Sequence, residues 1–160
     1  MNGLVHSINI SGEGGVPKQS VPGAMILSNG LEGDYNRFRM ENLEGSSKRA
    51  VSLFSLEVIE DLSEEGHPIG VGSTGENLTI KGIDWSVLER GMTLQVGEAV
   101  LELSEPCEPC SKIGKSFLER KFSRIDHELQ FGWSRWLGSV VIEGNVSVGD
   151  DVRIVITGSE

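Results

Sequence analysis

The chain has 160 residues, 38% of them hydrophobic and 24% charged, which fits one soluble globular domain able to bury about two-thirds of its unfolded surface. Its formal net charge is −10, and Lys48-Arg49 and Arg120-Lys121 are the only adjacent basic pairs, so no basic patch offsets the field that would repel nucleic acid. No apolar run approaches the roughly 20 residues that span a bilayer, and "MNGLVHSINIS" lacks the basic flank and cleavage site of an export signal, so no membrane association and a cytoplasmic location are expected.

In chain order, "GLVHSINIS" reads as a strand with Leu4, His6, Ile8 and Ile10 on one face. "GAMILSNGLEGD" gives a short strand and a turn at Asn29-Gly30, and "RAVSLF" a buried strand. "SLEVIEDLSEEG" predicts a helix capped by Ser55, with Leu56, Ile59 and Leu62 on one side and a stop at Gly66. "NLTIKG" is a strand, and "DWSVLERG" is one or two helical turns between Asp84 and Gly91. In "MTLQVGEAVLELS" a Gly-Glu step divides two alternating runs, which predicts a hairpin. Residues 111–122, "SKIGKSFLERKF", predict a helix aligning Ile113, Phe117 and Phe122. "GSVVIEG" and "NVSVGDDVRIVI" close the chain with strands. Strands dominate without regular strand–helix alternation, so a β-barrel with a few inserted short helices is expected, as one domain over residues 1–160.

The two cysteines, Cys107 and Cys110, stand together in "SEPCEPCS". A zinc site built on this spacing needs a second Cys or His pair, and His6, His67 and His127 are scattered singly, so no structural zinc is expected. A thioredoxin-like dithiol is disfavoured: about a hundred β-rich residues precede the motif, and Glu105 and Glu108 would raise thiol pKa values. Two readings stay open, a pair of small apolar residues or one working thiol with a neighbour. Pro106 and Pro109 remove backbone donors, so neither cysteine is expected in an interior ladder, and Ser111 with Lys112 gives a polar mouth carrying one positive charge. Asp34, Glu76, Asp84 and Asp126 fall in loop-like stretches that nothing in the sequence pairs. Trp133 and Trp136 are packing residues or an aromatic wall near the barrel mouth.

The segment "STGENLTIKGIDWSVLERGMTLQVGEAVLELSEPCEPCSKI", with "GLEGD" and "SLEVIEDLSEEGHPI" before it and "GNVSVGDDVRI" after it, resembles the MOSC family, the carboxy-terminal domain of molybdenum-cofactor sulfurases. The likeness runs from about residue 3 to residue 156. It implies a closed β-barrel of the pyruvate-kinase type. It implies that Cys110, at the second position of "PCxxC", is the functional thiol and the ligand for molybdenum. It places the polar groups of Gly75, Glu76 and Asn77 near that cysteine, with Glu76 as the acid–base candidate, and maps the glycine-aspartate element onto Gly33 and Asp34.

The same resemblance implies a molybdenum cofactor, or sulfur destined for one, held through Cys110, and reduction of N-hydroxylated compounds with electrons from a partner protein if the chain is catalytic. A thiolate suits a soft metal, and a cofactor phosphate would need cations, for which Arg37, Arg39, Arg49 and Lys112 are nearest in sequence. The alternatives are a non-catalytic sulfur carrier or cofactor-handling module and a cofactor-free, redox-responsive Cys107–Cys110 pair. Tyr35 replaces a usual arginine and Glu44-Gly45-Ser46 stands where a His-Gly-Gly turn is expected, so anion binding there is altered or supplied by Arg37 and Arg39. A pyridoxal-phosphate sulfur source would have to be a partner protein.

Overall fold

The computed structural model describes residues 2–35 and 47–155. Eleven strands lie there: β1 Asn2–Ile10, β2 Gln19–Val21, β3 Gly23–Leu27, β4 Gly30–Leu31, β5 Val51–Ser55, β6 Leu78–Lys81, β7 Thr93–Val96, β8 Ala99–Cys107, β9 Arg135–Ile142, β10 Gly144–Ser147 and β11 Asp151–Val155. The ladder order β11-β7-β8-β9-β5-β6-β1 returns to β11, so these seven strands close a barrel, with β2 added outside β1. The expected closed barrel is what the chain forms. A second sheet, β10-β3-β4, lies beside it. Phe54, Leu78, Leu94 and Leu101 are among the large side chains fully removed from water in the core.

β5 and β6 pair in parallel, and the crossover between them carries helix α1, Leu56–Glu64. Its start is fixed as the sequence predicts: Ser55 is extended at φ −88° and ψ 129°, and its Oγ accepts from the Val58 N–H at 3.1 Å. Leu56, Val58, Ile59 and Leu62 are buried, and Gly66 takes φ 102° just past the end, where a side chain would be strained. The Gly97-Glu98 step is the β7–β8 turn, with Val96 paired to Ala99.

Two sequence expectations need correction. Leu4 and His6 do not share a face with Ile8: both point outward, while Val5, Ser7, Ile8 and Asn9 are buried. The cause is a bulge, because Val5 pairs with Ile80 and Ser7 with Thr79, leaving His6 as an extra residue that shifts the alternation. Residues 111–122 are not one helix. Short 3-10 segments, Ser111–Ser116, Leu118–Arg120 and Phe122–Ile125, are interrupted by extended Phe117 and by Glu119 at φ 52°. Tertiary anchors win over helix propensity there: the Leu118 N–H donates to His67 Nδ1 at 3.1 Å, and Arg120 folds back to donate to the Ser111 carbonyl at 3.1 Å. The expectation that neither cysteine lies in an interior ladder holds: Cys107 pairs on one side only, opposite Arg135, and Pro106 lies opposite Trp136. β7 pairs with β8 only from Ala99 to Glu102, so β8 has a single neighbour where Pro106 lies, and a missing N–H is tolerated.

β1, which closes the barrel against β11, is tight on its other edge against β6. Gly3 of β1 pairs with Val152 of β11, and a Cβ on Gly3 would sit 2.3 Å from the Lys81 carbonyl oxygen. Gly3→Ala should therefore push β1 away from β6 and cost about 1–3 kcal/mol, read as a lower midpoint in urea denaturation; an unchanged midpoint would contradict this packing.

Candidate functional site

The glycine-aspartate element and the Gly-Glu-Asn segment, which the resemblance marks separately, meet inside the protein. Asn77 precedes β6 and uses its whole amide. Its Nδ2 donates to the Asn9 carbonyl at 3.2 Å and to Asp34 Oδ2 at 3.0 Å, and its Oδ1 accepts from the Ser52 N–H at 3.1 Å. One side chain thereby joins β1, β5 and the loop after β4. Asp34 Oδ1 accepts from the Ser11 N–H at 2.8 Å, and Oδ2 takes a 2.8 Å ion pair from Lys18 Nζ, with both side chains about 5–6% exposed. Lys18, Asn9 and Ser52 were not singled out in the sequence; their roles arise from contacts across the fold.

Glu76 is fully buried. Its carboxyl accepts from the Gly72 N–H at 2.9 Å, the Thr74 hydroxyl at 3.0 Å and the Thr79 hydroxyl at 2.9 Å. Asn9 Nδ2 donates to Thr79 Oγ1 at 3.1 Å, which leaves the Thr79 proton for Glu76. Loss of solvent pushes the Glu76 carboxyl above the usual carboxylate range, against the pull of its donors. Gly75 adopts φ 83°, and a Cβ there would lie 2.9 Å from Val16 Cγ1, so only glycine fits. In this arrangement Glu76 organises the loop that ends in Asn77.

Cys110 is an exposed free thiol at the entry to the 3-10 segment Ser111–Ser116, and Cys107 is a buried free thiol at the end of β8. What ties them to the buried network is Arg135, which the sequence reading passed over. It is only 7% exposed; Nη1 donates to the Thr74 carbonyl at 2.8 Å and Nη2 to the Glu108 carbonyl at 3.4 Å. One guanidinium thus joins the loop before Glu76 to the loop between the cysteines, and Ser116 Oγ on Ser73 Oγ at 2.8 Å ties the 3-10 segment after Cys110 to that same loop before Glu76. An arginine inside the apolar run "WSRWLG" was the available sequence signal.

The remaining candidates separate. Arg49 pairs with Glu105 at 3.1 Å. Lys112 is exposed, two residues past Cys110. Gly33 takes φ 87° beside Ile10, and Tyr35 is partly exposed. Arg37, Arg39 and Glu44-Gly45-Ser46 lie outside the described residues. Trp136 is in the core, and Trp133 is half-buried under the Arg124 guanidinium, 4.0 Å from its ring centre. Asp84 caps the 3-10 turn Trp85–Val87, and Asp126 caps the turn to Glu128. Among the described residues no group of three or more His, Cys, Asp or Glu is placed to hold a metal ion, and no helix is long and apolar enough to cross a membrane.

A carboxyl whose folded pKa is raised contributes stability that is present below the unfolded carboxylate range and is lost as pH rises through the raised value. The stability of the native chain relative to Glu76→Gln should therefore fall as pH is raised from about 4 to about 8, measured by urea denaturation; a difference that stays flat with pH would contradict the buried carboxyl.

Known proteins give the arrangement its context. The chain is 27% identical over 150 residues to the uncharacterized protein YflK of Bacillus subtilis, a match covering 92% of this chain and 66% of that protein. It is 29% identical over 146 residues to the protein YiiM of Escherichia coli, covering 88% and 63% respectively, so it spans just under two-thirds of the length of these curated relatives. The crystal structure of Escherichia coli YiiM matches with a TM-score of 0.70 at 25% identity, covering 100% of this chain and 72% of that one. The YuaD protein of Bacillus subtilis shares the fold, with a TM-score of 0.73 at 18% identity over 95% and 94% of the two chains. A family model for the MOSC domain matches residues 40–153, which takes in the Gly-Glu-Asn segment, both cysteines and Arg135, and the chain belongs to the MOSC domain family.

Proposed function

We propose that the chain binds a molybdenum cofactor, or carries sulfur destined for one, through the Cys110 thiol. The observation that carries this reading is the division of labour between the cysteines. Cys107 is buried, whereas Cys110 is exposed on a loop that Arg135 holds at a fixed place. A thiol that must bond a soft metal or accept sulfur needs access and a fixed approach, and Cys110 has both.

The donor set fits one end of such a cofactor. Cys110 offers a soft sulfur ligand, and when bound the group would supply two-electron oxygen- or sulfur-transfer chemistry. The phosphate end is less well served by the described cations. Lys18 is neutralised by Asp34, Arg49 by Glu105, and Arg135 faces two carbonyls. That end falls to Lys112 or to Arg37 and Arg39. The chain's own contribution is to orient Cys110, to keep its loop seated on the Thr74 carbonyl, and to support that loop with a buried, hydrogen-bonded scaffold.

The catalytic form of this reading is reduction of N-hydroxylated compounds. It consumes two electrons and two protons and releases water, so it requires an electron-donor protein; the sulfur-carrier form requires a sulfur-donor protein instead. A protein of Gibberella moniliformis named as a reductase is 29% identical over 117 residues, but the match covers 20% of that protein, so the domain there is one part of a larger chain. The two free thiols suit a reducing compartment such as the cytoplasm.

Protein purified from a cofactor-competent host should contain about one molybdenum per chain, or a persulfide on Cys110. Either should disappear in Cys110→Ala, as read by metal analysis, released pterin and persulfide labelling. Molybdenum content that survives the substitution, or the lack of both groups in the native chain, would sink this reading.

A further inference from the structure

Cys107 is the thiol that the proposed function leaves idle, and its surroundings give it a task. It is the last residue of β8 and stands directly opposite Arg135, the first of β9, so the two side chains leave the ladder on the same face. Each is 7% exposed. The Cys107 sulfur lies 3.9 Å from the Glu108 carbonyl oxygen, the same oxygen that accepts from Arg135 Nη2. A buried thiol and a buried guanidinium therefore converge on one backbone atom.

Arg135 is unlike the other basic side chains around it. Lys18 rests on Asp34, Arg49 on Glu105, Arg124 on Glu65 and Lys121 on Glu119. Arg135 meets only carbonyls, and its Nε is buried without a partner. Among the described residues, this buried cation has no acid beside it. Keeping such a charge out of water is costly unless an anion answers it, and the Cys107 sulfur leaves the ladder on the same face and meets the same carbonyl.

We propose that Cys107 is a resolving thiol for whatever sulfur-bonded group Cys110 carries, with Arg135 as the positioning residue that supplies counter-charge to its sulfur. The proposal rests on the reading of Cys110 as the working thiol. For a persulfide, the Cys107 sulfur attacks the Cys110 sulfur and a Cys107–Cys110 bond forms. The bond from Cys110 to the outer sulfur breaks, its electron pair leaves with that sulfur, and the protons of the thiol and the persulfide depart with it as hydrogen sulfide. The cysteine pair ends oxidised, and two electrons and two protons from a dithiol reductant restore it. The bond requires the two Cα atoms within about 7 Å. Glu108 and Cys110 are exposed, and the turn that brings Cys110 back toward β8 pivots on the Glu108 carbonyl that Arg135 holds.

The folded chain is treated with oxidised glutathione and followed by intact and peptide mass spectrometry. Native protein should end as an internal Cys107–Cys110 disulfide, and Cys107→Ser should stop at a glutathione adduct on Cys110. Arg135→Gln, which keeps donors but loses charge, should slow the second step roughly tenfold, whereas Arg135→Lys should stay within about threefold of native. Native protein that accumulates the adduct as Cys107→Ser does would overturn the resolving role. So would a folded Arg135→Gln resolving at the native rate for the part assigned to Arg135; if that variant does not fold, native protein and Cys107→Ser decide the resolving role and Arg135→Lys, slowed tenfold or more, would remove the charge argument. A parallel loading with inorganic polysulfide separates this role from the carrier reading. Sulfur that stays on Cys110 of the native chain as long as it does in Cys107→Ser defeats the resolving role alone. Resolution of the glutathione adduct with no sulfur uptake defeats the carrier reading alone.

Discussion

The structure depends on how the Asn77 amide is satisfied. Three elements far apart in the sequence meet at this side chain: β5 through Ser52, β1 through Asn9, and the loop after β4 through Asp34. The group is buried, so each donor and acceptor there must find its partner in the protein or forfeit about 1–3 kcal/mol. Asp34 carries the further load of the Lys18 ammonium, and removing one member of such a pair leaves an uncompensated charge worth about 3–5 kcal/mol. Few alternative packings satisfy all these groups at once, which is why polar residues in this part of the barrel can fix a single arrangement.

From that frame the chemistry is held at one remove. The segment richest in family signature, Gly75-Glu76-Asn77, is not a set of groups reaching toward a ligand; it is a buried support. Glu76 gathers Gly72, Thr74 and Thr79 around its carboxyl, which fixes the carbonyl of Thr74. Arg135 then spans from that carbonyl to the cysteine loop. The exposed thiol therefore inherits its position from a scaffold it does not itself touch. A separation of this kind lets the open loop vary in side chains while the site keeps its place.

Much of this was legible in the sequence because the signals are local. The Ser55 cap, the Gly66 stop and the Gly97-Glu98 turn each act within a few residues, and all stand where the pattern puts them. The motifs singled out Asp34 and Asn77 separately; that they meet, at 3.0 Å, was not legible, because nothing local pairs residues 43 apart. What stayed hidden is long-range. The His6 bulge is set by pairing with a strand more than 70 residues later. The stretch after Cys110 reads as a helix by spacing, yet its ties to His67 and Ser73 hold it in separate short turns. Lys18 and Arg135 look like solvated charges until the partners that bury them are known.

The claim that the Asn77–Asp34 contact is the joint of this frame is tested most directly by a double-mutant cycle. Asn77→Ala, Asp34→Ala and the double variant would be compared with the native chain by equilibrium urea denaturation. A coupling energy of about 1–3 kcal/mol is predicted, since each substitution removes a partner the other has left buried. Additivity within about 0.5 kcal/mol would contradict it, and would mean that the two residues stabilise the barrel independently.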